Sequence, residues 1–223
     1  MGIITLNKQN RLFWLGRYSE RVYSTIKLIL KEYDHLLDGA SVDYEAFCRK
    51  MGIPCIYTDS EDFLRRYLFD PASPFSVRSS IEAMLGNGMM LRETISSITL
   101  SYLQMARNSL LIAENSDAPY LELQLVLDDI MAFRGSFDEY VDDESNRNIT
   151  KVGALIERLS IYLRFEWQTE RLEKEIGKLL ARLQRTDIAP NAQALAFIKS
   201  CPAETLLQNR LALLNNVERL FLV

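Results

Sequence analysis

Apolar residues recur at three- and four-residue intervals along most of this chain, a spacing typical of amphipathic α-helices and not of strands. The pattern predicts a long first helix from Leu12 to Leu37 and a second long helix from Ile149 to Arg185, with a bend near Thr169. Shorter helices are predicted over residues 42–50, 60–69, 76–113, 120–140, 191–199 and 203–221. We expect eight or nine helices, with Gly86-Asn87-Gly88 either kinking the fourth one or allowing another backbone to approach it closely.

Residues that interrupt helices are few. The chain has only 9 Gly and 6 Pro, too few for the many turns of a sandwich or barrel. Its abundant Leu, Ile, Ala, Glu, Arg and Lys lose little side-chain freedom in a helix. The clearest break is Asp70-Pro71-Ala72-Ser73-Pro74, and no stretch rich in Gly, Ser or charge resembles a linker. We therefore predict an all-α fold, a helical bundle forming a single domain over residues 1–223.

Charge and hydropathy exclude several classes of protein. The chain has 26 Lys and Arg against 30 Asp and Glu, a net charge of −4, so it has no general attraction for nucleic acid. No apolar run approaches the ~20 residues that a membrane-spanning helix needs. Three cysteines in a chain that opens without a signal-like segment favour reduced thiols in a cytoplasm. We expect a cytoplasmic protein with no nucleic-acid or membrane partner.

The metal-ligating residue types do not form a recognisable site. A single histidine, His35, excludes sites that need several imidazoles within one chain. Glu32 and His35 match one Glu-x-x-His element of di-iron bundles, which need two. Cys48 and Cys55 lack a second cysteine pair, and the acidic residues 138–144 lack the spacing of a calcium loop. We expect no metal and no cofactor.

An internal repeat relates the two long helices. Gly16 and Glu20-Arg21 align with Gly153 and Glu157-Arg158 at a constant offset of 157 − 20 = 137 residues. In both helices the Gly precedes the Glu by four residues, so the two lie on one helical face. Because glycine has no side chain, the two helices are predicted to cross closely there. Each Glu would then accept a bidentate Arg from the other helix.

Two interpretations of these charges remain open from the sequence. In the first, they form a buried ion-pair lattice that fixes helix register. In the second, they line a polar cleft whose arginines receive a carboxylate or phosphate. Because neighbouring residues are rotated by about 100° around a helix, the basic partners of Glu20 and Glu157 are expected to be Arg17, Arg92 or Arg164. The candidate binding residues of the cleft are Arg17, Glu20, Arg21, Asn87, Arg92, Glu93, Glu157 and Arg158. None is assigned as catalytic.

Four motifs carry a resemblance to a known family. The first is Phe13-Trp14-Leu15-Gly16-Arg17-Tyr18-Ser19-Glu20-Arg21, and the second is Arg66-Tyr67-Leu68-Phe69-Asp70-Pro71-Ala72-Ser73-Pro74. The third joins Asn87 to Arg92-Glu93-Thr94-Ile95-Ser96-Ser97, and the fourth joins Gly153 to Glu157-Arg158. In this order the motifs resemble those of the bacterial alpha-E domain family. The chain departs from that family's pattern at Met89, where Arg is common, and at Ile98-Thr99-Leu100, where Glu-Met-Trp is common.

The resemblance implies an all-helical bacterial domain of no established biochemistry. Members of the family tend to be encoded beside, or fused to, ATP-grasp-type ligases and transglutaminase-like proteins, which implies a part in peptide or amide-bond metabolism. We therefore expect a non-catalytic accessory or binding module that works with such a partner. The alternative is an enzyme that forms or cleaves amide bonds, with Glu20 or Glu157 as a general base. A third reading, a structural oligomer subunit, requires an exposed apolar face on the final helix.

Overall fold

Ten α-helices and one 3-10 helix make up the regular structure of the described part of the chain. This computed structural model describes the backbone of residues 2–37 and 41–221 and the side chains of residues 6–34 and 41–221, among which there is no strand. The α-helices are α1 (Gly2–Leu37), α2 (Tyr44–Met51), α3 (Ser60–Phe69), α4 (Val77–Met90), α5 (Ser97–Glu114), α6 (Pro119–Tyr140), α7 (Glu144–Arg164), α8 (Thr169–Leu183), α9 (Ala192–Ser200) and α10 (Arg210–Glu218). The predicted all-α class is confirmed.

The helix count exceeds the predicted eight or nine because helix ends depend on local chemistry. Gly86-Asn87-Gly88 lies inside α4, and the interruption falls instead at residues 91–96. There Ser96 caps α5 by accepting a hydrogen bond of 3.0 Å from the amide of Thr99. Such a cap satisfies an amide that a helix start leaves free, and it defines the boundary more strongly than glycine does.

The predicted long helix over Ile149 to Arg185 is two helices. The turn between α7 and α8 contains Glu166 in the left-handed conformation, with φ 55°. The amide of Trp167 donates back to the carbonyl of Tyr162 at 3.0 Å, the bond pattern that ends many helices. The predicted bend near Thr169 therefore corresponds to the first residue of α8.

The chain divides into two compact units, Met1–Glu20 with Asp143–Val223, and Arg21–Asp142. We describe each by itself, and the single domain over 1–223 stays a prediction. In the first unit, α7 packs against α8 and α10, and α10 against α9. The buried apolar residues of α7 cover most of its circumference: Ile149, Val152, Leu155, Ile156, Leu159, Ile161 and Leu163. This central position explains why its polar residues are also largely buried.

The last residues of the first unit are mostly packed. Leu206, Leu213, Val217 and Leu220 are buried, while Leu211 is exposed. Leu207 is exposed as well, so within the described part of this segment, which ends at Phe221, the exposed large apolar residues are Leu207 and Leu211 alone.

The second unit is built on α5, which packs along α6 and against α4. Its core includes Ile81, Met84 and Leu103. An aromatic cluster joins α2 to α3: the Phe47 ring lies 5.2 Å from the rings of both Phe63 and Tyr67. Among the residues that the structure describes, no helix combines the length and apolar character needed to cross a bilayer.

Candidate functional site: the Glu-Arg network

Helices α1 and α7 touch backbone to backbone at two glycines. A Cβ added to Gly16 would overlap the carbonyl oxygen of Thr150 and lie 3.1 Å from the amide nitrogen of Ala154. A Cβ added to Gly153 would overlap the carbonyl oxygen of Phe13. Both neighbours are main-chain atoms, so only glycine allows this approach. The close crossing predicted from the repeat is confirmed.

Glu20 receives a two-pronged bond from α7. Arg158 donates from Nε to Oε1 at 2.9 Å and from Nη2 to Oε2 at 2.6 Å. This fork arrangement is the strongest geometry available between an arginine and a carboxylate. The Glu20 side chain is 0 % exposed and that of Arg158 is 22 % exposed. The predicted bidentate bond to Glu20 is therefore present.

A third helix extends the network. The Nη1 of Arg158 donates to Oε2 of Glu175 on α8 at 3.0 Å, and Lys178 donates to the other oxygen of Glu175 at 2.6 Å. Glu175 is buried, whereas Lys178 lies at the surface. The four charges thus form a line from the buried Glu20 to solvent, with carboxylate and cation alternating.

Glu157 is paired on the other side of the crossing. Arg17 of α1 places both Nε and Nη2 2.7 Å from Oε2 of Glu157. The Arg17 guanidinium also lies 5.0 Å from the centre of the Trp14 ring, within the range of a cation–π contact. Arg17 is therefore fixed by a carboxylate and an aromatic ring together.

The pKa values of Arg158 and Glu175 are set by the charged groups that bond them. Burial by itself would lower the pKa of Arg158, but its hydrogen bonds to Glu20 and the charges of Glu20 and Glu175 outweigh burial and raise the pKa. For the acidic Glu175, burial by itself would raise the pKa. The hydrogen bond from Lys178 and the charge of Arg158 outweigh burial and hold the pKa of Glu175 below its usual value. Both groups therefore stay charged near neutral pH.

The predicted basic partners are partly corrected. Arg17 does reach Glu157, as expected, but the arginine on Glu20 is Arg158, which was not among the three expected partners. The glycines bring the two helix axes close together, so side chains over a wide sector of each helix can reach the other helix. Arg158 therefore reaches α1 although it is rotated by about 100° from Glu157 around α7. Arg164 bonds Glu218 at 2.8 Å.

The structure brings four of the eight candidate residues together in one unit. Arg17, Glu20, Glu157 and Arg158 meet in the first unit. The other four belong to the second unit and are Arg21, Asn87, Arg92 and Glu93. Arg92 and Glu93 were predicted on a helix, but they lie in the exposed turn after α4, 3.3 Å from each other. The cleft that would join all eight stays a prediction.

Sequence analysis missed Glu175 and Lys178, although a signal for Glu175 exists. On α8 the buried positions are Leu172, Ile176, Leu179 and Leu183, and Glu175 lies within the same stripe. An acidic residue inside an apolar stripe needs a buried cation as partner. The identity of that cation, Arg158, follows only from the tertiary packing of α8 on α7.

The network has few of the properties of an open reaction site. Glu20 and Glu157 are 0 % and 4 % exposed, and both carboxylates are bound by guanidinium groups. Among the described side chains there is no group of three or more His, Cys, Asp or Glu placed to hold a metal ion. The His35 side chain lies outside the described residues.

Comparison with known protein families identifies the chain. A family model described as a predicted α-helical domain with a conserved ER motif, Alpha-E, matches residues 9–166. The chain belongs to the Alpha-E family. Two Glu-Arg dipeptides of this Alpha-E protein lie within the matched residues, Glu20-Arg21 and Glu157-Arg158, and the Glu of the first is bonded to the Arg of the second. Glu175 and Lys178 lie beyond the match. A search of curated proteins and a search of solved structures each find no match.

Proposed function

We propose that this Alpha-E chain is a non-catalytic helical module that binds a partner enzyme of peptide or amide-bond metabolism. The observation that carries the proposal is the burial and pairing of Glu20 and Glu157, the two carboxylates that the enzyme alternative requires as general bases. Both are buried and both are held by arginines at 2.6–2.9 Å. In this role the ER dipeptides maintain the helix crossing, and the module presents its outer surfaces to the partner.

This state of the carboxylates disfavours general base catalysis. A base must come within about 3 Å of the proton that it removes, directly or through one water. The Glu20 side chain has no exposed surface, so a substrate would first have to displace Arg158. Displacing it would leave a buried carboxylate without its counter-charge, at a cost of about 3–5 kcal/mol. A lattice that fixes the fold is therefore the better supported of the two interpretations.

The choice of partner rests on the resemblance given by the sequence motifs. Because that family tends to occur beside or fused to ATP-grasp-type ligases and transglutaminase-like proteins, we propose a ligase of the ATP-grasp type as the first partner to test. The module would then act in a bacterial cytoplasm, where ATP and the ligase's peptide substrates are available. A transglutaminase-like protein is the second partner to test.

The test uses the purified full-length chain and the ATP-grasp-type ligase encoded nearest to it. Light scattering after gel filtration measures complex formation, and ADP release measures ligase activity with and without the chain. We expect a 1:1 or higher-order complex at micromolar concentration and no ADP release or peptide hydrolysis by the chain alone. The same assays with the transglutaminase-like protein follow.

Two results would overturn the proposal. The first is the absence of a complex with either class of partner. The second is turnover of a peptide or acyl phosphate by the chain alone that is lost in a folded Glu157→Gln variant. That second result would establish the alternative, an amide-forming or amide-cleaving enzyme that uses the Glu-Arg residues.

A further inference from the structure

A groove of about 720 Å³ lies in the second unit, and none of the residues that line it belongs to the Glu-Arg network. It is lined by residues of α3, by the turn at Asp70 and Pro71, by the end of α5 and by the start of α6. Its size falls within the range of small-molecule sites in proteins, about 300–1,000 Å³. All residues that line it belong to the second unit.

Most charges of the groove are engaged in holding its walls. Arg66 donates to the carbonyl of Ile56 at 3.1 Å and to Asp62 at 3.3 Å. Glu114, at the end of α5, accepts from Arg78 of α4 at 2.8 Å. These bonds tie the walls of the groove to neighbouring elements, so its shape is set before any ligand arrives.

Two opposite charges of the groove are not engaged. Glu61 and Arg65 lie four residues apart on the exposed face of α3. Within the part of the chain that is described, neither has an ion-pair partner within 4.0 Å, and they do not pair with each other. A Glu that precedes an Arg by four residues is the orientation that favours pairing on a helix. Their separation leaves one carboxylate and one guanidinium available to a ligand.

Aromatic rings lie beside these two charges. Tyr120, at the start of α6, stacks on Tyr33 with 3.7 Å between ring centres and 19° between planes. Burial, with smaller contributions from Tyr33 and the charge of Glu61, raises the pKa of Tyr120. Its hydroxyl therefore stays protonated and can donate a hydrogen bond at neutral pH. Phe69 and Pro71 add apolar surface.

We propose that this groove binds a short peptide with both ends free, its carboxylate on Arg65 and its ammonium group on Glu61. The body of the peptide would lie against Tyr120 and Phe69. A di- or tripeptide spans about 7–10 Å, which suits two long side chains whose Cβ atoms lie about 5–6 Å apart and whose ends can spread.

This inference names the ligand class of the module proposed above and rests on that proposal in one respect, that the ligand is held without being transformed. The ligand could be a substrate of the ligase or its product, since both classes carry free peptide ends. The groove would then keep the peptide near the partner enzyme.

The experiment is calorimetric titration of the full chain with three probes: trialanine, N-acetyl-trialanine and trialanine amide. We expect trialanine to bind and each capped peptide to bind about tenfold more weakly, because each lacks one charge-assisted bond. Arg65→Gln should abolish the preference for trialanine over its amide. Glu61→Gln should abolish the preference for trialanine over its acetyl form.

The matched controls are Arg49→Gln and Glu45→Gln on α2. These residues have the same types and the same spacing, are 70 % and 65 % exposed, and lie outside the groove. Both variants should keep the wild-type preferences. Mass spectrometry of the recovered peptide completes the experiment by showing whether it is unchanged.

The outcomes separate the two proposals. If trialanine does not bind at millimolar concentration, if the capped peptides bind equally well, or if the α2 variants have the same effect as the α3 variants, the groove assignment is wrong and the proposed function is unaffected. If trialanine binds with the expected preferences but is recovered cleaved or modified, the groove assignment holds and the non-catalytic function is wrong.

Discussion

At the scale of single residues, Arg158 is the centre of the network. It bonds two carboxylates, Glu20 and Glu175, that come from helices far apart in the sequence. Because Arg158 is held by both carboxylates and Glu175 is shared with Lys178, removing one charge weakens a network whose members are otherwise all paired. The stability of the first unit should therefore depend strongly on each member.

Removing the charge of Glu20 tests this dependence. Glu20→Gln should lower the free energy of unfolding by about 3 kcal/mol, the lower end of the range for breaking a buried ion pair, because Arg158 loses its two-pronged partner but keeps Glu175. The matched change at an exposed ion pair, Glu45→Gln, should cost under about 1 kcal/mol. Urea unfolding followed by circular dichroism measures both.

The same measurement on a double variant shows whether the loss comes from the pair. Glu20→Gln with Arg158→Gln should be less destabilising than the sum of the two single changes, since neither partner is then left as a lone charge. Additive losses would contradict a direct energetic link between Glu20 and Arg158.

The pH dependence of stability should report Glu175. Its pKa is lowered in the folded chain, so the folded state binds fewer protons than the unfolded state in the acidic range. The stability that Glu175 contributes is complete above its unfolded pKa of about 4.3 and is lost as pH falls through the lower folded value. Urea midpoints between pH 6 and pH 3 should therefore fall more steeply in wild type than in Glu175→Gln.

Asp129 provides a control of opposite sign. Burial raises its pKa, and this outweighs the lowering by the bond of 2.6 Å that it accepts from Ser109. The folded chain therefore binds a proton at Asp129 more readily than the unfolded chain does, which favours folding as pH falls. The Asp129→Asn variant should lose stability more steeply on acidification than wild type. An equal slope in all three proteins would contradict both assignments.

At the scale of helices, the crossing of α1 and α7 depends on the absence of two side chains. Gly16 meets the carbonyl of Thr150, and Gly153 meets the carbonyl of Phe13. Main-chain atoms of a helix cannot rotate away as a side chain can, so any Cβ must push the helices apart. Separation of the helices would also stretch the bonds between Arg158 and Glu20.

Glycine-to-alanine substitutions should therefore have opposite effects at different positions. Gly16→Ala and Gly153→Ala should destabilise the chain by about 1–3 kcal/mol or more, the range for overpacking. Gly177→Ala on the exposed side of α8, where an added Cβ meets nothing within 4 Å, should stabilise it by about 0.4–1 kcal/mol because alanine favours a helix. Thermal and urea unfolding measure all three variants.

The opposite result has a clear meaning. If Gly16→Ala were as stable as Gly177→Ala, the two helices would not be in backbone contact at the crossing.

At the scale of the whole chain, the family match and the first unit do not end at the same place. The match covers residues 9–166, but Glu175 and the apolar face of α8 lie beyond it. α8 and α10 both pack on α7, and α8 supplies the second carboxylate for Arg158. The matched region thus depends on helices outside it for the burial of α7.

Truncation tests this dependence. A chain that ends after Glu166 should lose cooperative unfolding, because the apolar face of α7 becomes exposed and Arg158 loses one partner. A chain that ends after Leu183 keeps α8 and should unfold cooperatively, at lower stability than the full chain. Near-ultraviolet circular dichroism and urea titration distinguish the two, and equal stability of both truncated chains would contradict a role for α8.

Part of this structure could be predicted from the sequence because it depends on neighbours along the chain. The period of the apolar residues predicts the helices, since every third or fourth residue shares one face. The repeat of Gly16 and Glu20 as Gly153 and Glu157, at an offset of 137 residues, predicts the close crossing. Each helix then has a glycine on the same face as its Glu, and a glycine without a side chain lets another helix approach closely. The helix ends at residues 91–96 and 165–168 were harder to predict, since they depend on a cap and on one left-handed residue.

Only the tertiary structure decided which charges meet and which remain accessible. A sequence shows that Glu20 has arginines nearby on its own helix, but its partner Arg158 lies 138 residues away. Whether a carboxylate is a base or a lattice member depends on its burial and on every cation within about 4 Å, and both are properties of packed helices. For the same reason Glu61 and Arg65, ordinary surface residues in the sequence, acquire the proposed binding role only through the groove that residues of α3, α5 and α6 line.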